Sequence, residues 1–270
     1  MNEPHFYKKK LGQNFLIDKN IIKKIVSIGK INTASEVLEI GPGNGNLTKE
    51  IITKNPKKIT TIEKDKKLVL LLNKKFENNI NLNVIHEDIL KFINNKKFKN
   101  FSNIIIFGNL PYNISTKILT DLILMKQWPP CYKKLILMFQ KEVADRIIAK
   151  SKSSNFGRLS VISNWRLNIK KHFDVSENCF FPKPKIKSSV LSFEPIIKNK
   201  INIKNPECLE HVTRILFSNP RKMINKNIKK LFKNDNLVNS ELNLNLSQRP
   251  KELDLDLIYK IILRYEKLFY

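Results

Sequence analysis

The chain has 270 residues, 41% of them hydrophobic, and its 50 Lys+Arg against 24 Asp+Glu give a formal charge of +26. That length provides one sizeable core and a small partner domain, and the hydrophobic content excludes a disordered chain. Cys131, Cys179 and Cys208 have neither C-x-x-C spacing nor a histidine pattern beside them, so neither a disulfide framework nor a zinc site is indicated.

The first legible unit is Val37-Leu38-Glu39-Ile40, a buried strand running straight into Gly41-Pro42-Gly43-Asn44-Gly45-Asn46-Leu47-Thr48 and then a helix. Glycines there permit a tight turn and a close backbone approach to a ligand. Asn46 stands where the dinucleotide pattern G-x-G-x-x-G requires its last glycine, and Pro42 removes a backbone N–H that would cradle a pyrophosphate. NAD is therefore disfavoured. An adenosine carrying an amino-acid tail suits the loop better. Lys58 to Ile62 reads as a second strand ending in Glu63, at the distance where an acid takes both ribose hydroxyls. Asp88 follows a third strand, Leu82-Asn83-Val84-Ile85, and an acid there can accept from an adenine amino group. Each acid alone also reads as a solvated strand end; their regular placement after successive strands favours the ligand reading.

Ile104-Ile105-Ile106-Phe107 is a fourth strand, leading to Asn109-Leu110-Pro111-Tyr112. An Asn oxygen and the carbonyl preceding a proline can accept the two N–H groups of an exocyclic amine. Pro111 fixes the backbone and Tyr112 offers a ring for stacking. The alternative is a Pro turn with a packed tyrosine. Ser115 and Thr116 are placed to cap a helix from about Lys117 that stops before Pro129-Pro130. Further strands lie at Leu135 to Phe139 and Val190 to Phe193, with a polar loop at Ser151 to Asn155 between them. This alternation predicts a parallel α/β sheet with crossover helices. Beyond Pro206 only helical spacing remains: Leu209, Val212, Ile215 and Leu216 share one face, and Leu257, Ile258, Ile261 and Ile262 another. The division expected is residues 1–197 as a catalytic domain and residues 198–270 as a small all-helical one.

The charge suits a polyanionic partner through counterion release and steering. Only seven of the basic residues are Arg, a bias that an AT-rich genome also produces, so the charge argues for nucleic acid and says nothing of sequence preference. Lysine runs at 8 to 10, 64 to 67, 183 to 187 and 221 to 233 are candidate phosphate contacts. Met1-Asn2-Glu3-Pro4 lacks an apolar signal core and no segment has the apolar length to span a bilayer, so a cytoplasmic location is expected.

Gln13-Asn14-Phe15-Leu16, Glu39-Ile40-Gly41-Pro42-Gly43, Asn109 to Thr116 and Phe180-Phe181-Pro182-Lys183-Pro184 stand in an order that resembles the small-subunit (16S) ribosomal RNA adenine N6,N6-dimethyltransferase family. Phe139 to Val143 and Gly157 to Val161 are similar to that family too, and the resemblance runs from about Lys8 to Arg264. It implies a Rossmann-like S-adenosylmethionine-dependent methyltransferase sheet ending in an antiparallel strand, with a small all-helical C-terminal domain that docks on the ribosomal particle. It also implies S-adenosyl-L-methionine as donor, two methylations on each of two adjacent adenosines in a hairpin loop near the 3′ end of small-subunit RNA, and a monomer. By the same resemblance Asn14, Leu16, Gly41, Glu63, Asp88 and Asn109 hold the cofactor, Asn109 and the Leu110 carbonyl grip the target amine, and Tyr112 stacks on the base. A phenylalanine before the Pro turn covers the other face; alignment on Pro182 and Pro184 gives Phe180, and the adjacent Phe181 leaves open which ring faces the pocket. Phe217 to Lys230 resembles the family's basic helix region, with Pro220 and Lys226 as departures. A large-subunit ribosomal RNA methyltransferase of the antibiotic-resistance type shares the chemistry, but its relatives tend toward Asn-Ile-Pro-Tyr. A DNA adenine methyltransferase usually carries Asp-Pro-Pro-Tyr. A non-catalytic assembly factor need not keep Glu63, Asp88, Asn109 and Tyr112 together.

Overall fold

A computed structural model describes residues 14–198, 201–233 and 236–270. Gln13 and the Lys8 to Lys10 run lie outside the described residues. In chain order the elements are β1 (Phe15–Leu16), α1 (Lys19–Ile28), β2 (Glu36–Ile40), α2 (Asn46–Ile52), β3 (Lys58–Glu63), α3 (Lys66–Lys75), β4 (Leu82–His86), α4 (Ile89–Ile93), α5 (Lys96–Lys99), β5 (Ile104–Asn109), α6 (Ser115–Ile123) and β6 (Tyr132–Gln140). There follow α7 (Lys141–Ile147), α8 (Arg158–Arg166), β7 (Leu167–Val175), β8 (Phe180–Phe181), β9 (Ser188–Pro195), α9 (Pro206–Leu216), α10 (Asn225–Phe232), α11 (Asn236–Glu241) and α12 (Leu255–Phe269).

Seven strands form one sheet in the order β4-β3-β2-β5-β6-β9-β7. The five from β4 to β6 are parallel, and β9 runs antiparallel to β6, with Leu137 opposite Leu191. The burial explains the sequence pattern. Ile104 to Phe107 of β5 are no more than 1% exposed, as a central parallel strand covered on both faces requires. The outermost β4 is only partly buried, which accounts for its polar positions. Asp18, Asp65 and Asp88 each accept a first-turn backbone N–H, starting α1, α3 and α4. Of the two strand-end acids, Asp88 thus starts a helix, while Glu63 leaves that task to Asp65. Ser115 and Thr116 are the first residues of α6 rather than its caps, and the Ser115 hydroxyl donates back to the Tyr112 carbonyl at 3.1 Å. The cysteines are free thiols. Among the described residues no helix is long and apolar enough to cross a membrane.

The chain divides into two compact units. One holds the described residues up to Leu122 with Pro129–Ala144 and Ile169–Pro195; the other holds Ile123–Trp128, Asp145–Asn168 and Ile196–Tyr270. The second unit therefore takes in two stretches that precede residue 198 in sequence. Arg166 joins them: its guanidinium lies 3.6 Å over the Trp165 ring and 4.7 Å over Trp128, and Nη1 donates to the Met125 carbonyl at 2.9 Å. The Trp128 indole donates to the Ile196 carbonyl, and the Tyr259 hydroxyl ties α12 to α8 through the Val161 carbonyl at 2.8 Å. These contacts are made by backbone carbonyls and stacked rings, which leave no hydropathy period in the sequence. After β9 every described α or β element of this unit is helical, as the spacing predicts.

Candidate active site

β2 has β3 on one side and β5 on the other, so the direction of winding reverses between β2 and β5. In an open parallel sheet such a reversal parts the loops and opens a crevice at the carboxyl ends of the strands. Ile40 lies opposite Gly108 in that pair, so Gly41 and Asn109, far apart in sequence, leave the sheet side by side. A cavity at this point is lined by Asn14, Leu16, Gly41, Glu63, Asp88, Asn109, Leu110, Pro111 and Tyr112. These are nine of the ten residues selected from the sequence.

The glycine loop shapes the floor. Gly41 and Gly43 have φ of 65° and 58°, a left-handed conformation that other residues reach only at a cost. A Cβ on Gly43 would come within 2.7 Å of the Phe15 ring, whereas one on Gly41 would meet nothing within 4 Å. Gly43 thus lets an aromatic ring lie on the loop, and the space over Gly41 stays open. Glu63, 7% exposed, accepts from the Gly43 N–H at 3.2 Å and from the Asp65 N–H at 2.9 Å. Burial raises its carboxyl above the usual range while these backbone bonds pull it down. Asp88 accepts from Leu90 N–H at 2.9 Å and from the Lys64 ammonium at 2.7 Å, and the Lys64 bond holds its carboxyl below the usual range. A carboxylate offers about four lone-pair sites, so both acids retain accepting capacity.

Asn109 donates its side-chain N–H to the Asn14 carbonyl at 2.8 Å. That bond fixes the amide so that its oxygen points away from Asn14. Leu110 is buried and Tyr112 half-buried, with the Tyr112 hydroxyl 2.7 Å from the Ser188 hydroxyl. Burial raises the phenol above its ordinary range, which keeps it neutral near pH 7.

Phe180 is the tenth selected residue, and the structure does not bring it to the cavity. β1 and β8 pair antiparallel with Leu16 opposite Phe180 and Phe15 opposite Phe181. Cross-strand partners share a face and successive residues alternate. Phe180, 3% exposed, consequently packs with Leu16, Ile22 and Val26 in the core, while Phe181 is 54% exposed on the face it shares with Phe15. The alignment on the Pro turn cannot sense this alternation, since it counts residues and not faces.

Three further side chains belong to the site, and two of them, Glu39 and Ser188, carried no role in the sequence reading. Glu39 lines the cavity while only 1% exposed, and accepts from the Thr48 hydroxyl at 2.7 Å. Burial raises its carboxyl from 4.5 to about 8. A charged letter inside the run Val37 to Ile40 is the signal that could have singled it out. Lys64, the first residue of a run read as a candidate phosphate contact, pairs with Asp88, and Ser188 meets Tyr112 from β9; no motif spacing announces either contact.

The sheet order and the crevice at its winding reversal define a Rossmann-like α/β fold with a ligand site at the strand ends. A model of the ribosomal RNA adenine dimethylase family matches residues 5–267. The chain is 48% identical over 265 residues to ribosomal RNA small subunit methyltransferase A of Pelagibacter ubique (strain HTCC1062), covering 97% of each protein. It is 39% identical over 260 residues to the protein of that name from Mycoplasma mobile, covering 96% of this chain and 97% of that one. Among solved structures, a dimethyladenosine transferase from Plasmodium falciparum superposes with a TM-score of 0.76 at 28% identity, covering 94% of this chain and 98% of that one. The chain belongs to the ribosomal RNA adenine dimethylase family, and it is a methyltransferase.

Proposed function

We propose that this enzyme transfers methyl groups from S-adenosyl-L-methionine to N6 of two adjacent adenosines in the 3′-terminal hairpin loop of small-subunit ribosomal RNA, giving N6,N6-dimethyladenosine during subunit biogenesis in the cytoplasm. The observation that carries this reading is the convergence of Gly41, Glu63, Asp88, Asn109 and Tyr112 on one cavity at the winding reversal. Both of these relatives bear a small-subunit name, which supports the substrate assigned.

The donor set fits this cofactor. Buried Glu39 and Glu63 suit a ligand bearing positive charge, Glu63 suits ribose hydroxyls, Asp88 an adenine amino group, and the open space over Gly41 the chain linking them. Asn14 and Leu16 close the cavity from the amino-terminal side. When bound, the cofactor supplies an electrophilic methyl on a cationic sulfur.

The protein's part is to hold the target. Adenine N6 is a weak nucleophile because its lone pair is delocalised into the ring. The Asn109 side-chain oxygen and the Leu110 carbonyl accept its two N–H groups and favour a more tetrahedral nitrogen, with Pro111 fixing the turn. The proton becomes acidic only once the methyl is attached, so no ionised base is needed. Tyr112 stacks on one face of a base taken from its loop, and Phe181 covers the other. The second, helical unit docks on the particle through the exposed lysines of α10 and its approach, Lys222, Lys226, Lys229 and Lys230.

The test is incubation with methyl-labelled S-adenosylmethionine and unmethylated small subunits, large-subunit RNA or DNA, followed by nucleoside mass spectrometry. Dimethyladenosine arising only with small subunits is expected. Label on large-subunit RNA or DNA overturns the substrate assignment.

A further inference from the structure

We propose that Ser188 is a positioning residue for the methyl transfer: through its hydroxyl it fixes the plane of the Tyr112 ring. The inference rests on the proposed role of Tyr112 as the stacking ring. Tyr112 sits on the connection between β5 and α6, where the backbone is held at one point by the Ser115 hydroxyl bonded to the Tyr112 carbonyl. A tyrosine held only by its backbone keeps rotation about χ1 and χ2. The second point of attachment is the phenol tip, 2.7 Å from Ser188 Oγ.

Ser188 is suited to act as the fixed partner. It is fully buried and opens β9, where it lies opposite Gln140 in the antiparallel pair with β6. The pair continues past that register through the Lys141 N–H, which donates to the Lys187 carbonyl at 2.9 Å. The next residue, Ser189, donates to Asp174 at 2.6 Å, and Asp174 also accepts from the Lys171 ammonium at 2.8 Å. The anchor therefore belongs to the sheet, which is more rigid than the loop it restrains, and β9 also supplies Val190 to the cavity wall. A ring held at both ends presents one face to a base without paying rotamer entropy when the base arrives. The buried phenol stays neutral, so either hydroxyl can donate to the other.

A hydroxyl whose role is orientation should affect the bound target and leave the cofactor alone. In single-turnover methylation of small subunits, Ser188→Ala is expected to lower the transfer rate constant about tenfold, the effect of one neutral hydrogen bond. Cofactor affinity by calorimetry should stay within about twofold. Ser188→Thr, which keeps the hydroxyl, should restore most of the rate. Tyr112→Phe should reproduce the loss, and the double variant should be no slower than either single one, because both remove the same bond. Should Ser188→Ala fail to fold in a thermal melt, Tyr112→Phe carries the comparison alone. Unchanged rates in Ser188→Ala and Tyr112→Phe, or losses that multiply in the double variant, overturn the inference while an active wild type leaves the proposed function standing. A wild type that transfers no methyl group overturns that function instead.

Discussion

Replacing Glu39 by Gln tests whether a carboxyl can be kept neutral at the floor of the site. Glu39 is 1% exposed, its carboxyl accepts from the Thr48 hydroxyl, and burial raises that carboxyl to about 8 against 4.5 for a free side chain. Between those values the native protein retains a proton that the unfolded chain has lost. The unfolded state then binds fewer protons, so stability must fall as pH rises, by about 1.4 kcal/mol per pH unit. Across the whole interval the loss is on the order of 5 kcal/mol. It is absent below pH 4.5, where both states are protonated, and complete above pH 8. Gln is neutral throughout and can still accept from Thr48. Urea unfolding followed by far-ultraviolet circular dichroism from pH 5 to pH 9 should show Glu39→Gln gaining on the wild type steadily up to about pH 8 and then no further. The raised Glu63 carboxyl titrates in both proteins and cancels to first order in the difference. A stability difference that stays flat over the whole range would refute the reasoning, because it would mean that Glu39 is ionised and compensated.

Other expectations concern the base and RNA surfaces. Tyr112→Ala should slow single-turnover methyl transfer by roughly tenfold to a hundredfold, the range for loss of one base stack, with cofactor affinity by calorimetry unchanged; equal loss of both would remove Tyr112 from the target side. Phe180→Ala should cost about 3–5 kcal/mol in urea unfolding, as a buried Phe does. Phe181→Ala should leave that curve nearly in place and weaken transfer, and the reverse ranking would return the stacking role to Phe180. Affinity for small subunits should fall steeply between about 50 and 200 mM salt, measured by filter binding, and a flat salt response would exclude the lysine faces as phosphate contacts.

Much of the site was legible because parallel sheets write their chemistry at strand ends. Glu63, Asp88 and Asn109 each follow an apolar run, and a strand run is readable from letters alone. The sheet's antiparallel closure and the all-helical tail followed from the resemblance and from the 3.6-residue spacing. What escaped depends on faces and on distant partners. Phe180 and Phe181 are adjacent letters on opposite sides of a two-residue strand, and only the pairing with Phe15 and Leu16 decides which is buried. Ser188 is an ordinary serine until β9 brings it to Tyr112. The Arg166 stack, which draws earlier stretches into the second unit, is held by rings and carbonyls that no pattern of polarity records.

The protein bears +26 overall, yet among the described residues its cavity is lined by Glu39, Glu63, Glu87 and Asp88, with Lys64 as the one lysine or arginine. In the second unit the sign reverses, and Lys222, Lys226, Lys229 and Lys230 stand exposed on and beside α10. An acidic pocket in a basic protein separates the two proposed ligands by sign: RNA phosphate is drawn to the exterior and repelled from the cavity floor, while the proposed cationic cofactor is drawn inward. The neutral form of Glu39 moderates that repulsion between carboxylates when nothing cationic is bound, since a fully ionised cluster in so dry a place would push the strand ends apart. The same burial that lowers fold stability between about pH 4.5 and pH 8 therefore equips the cavity to discriminate between the proposed cofactor and RNA.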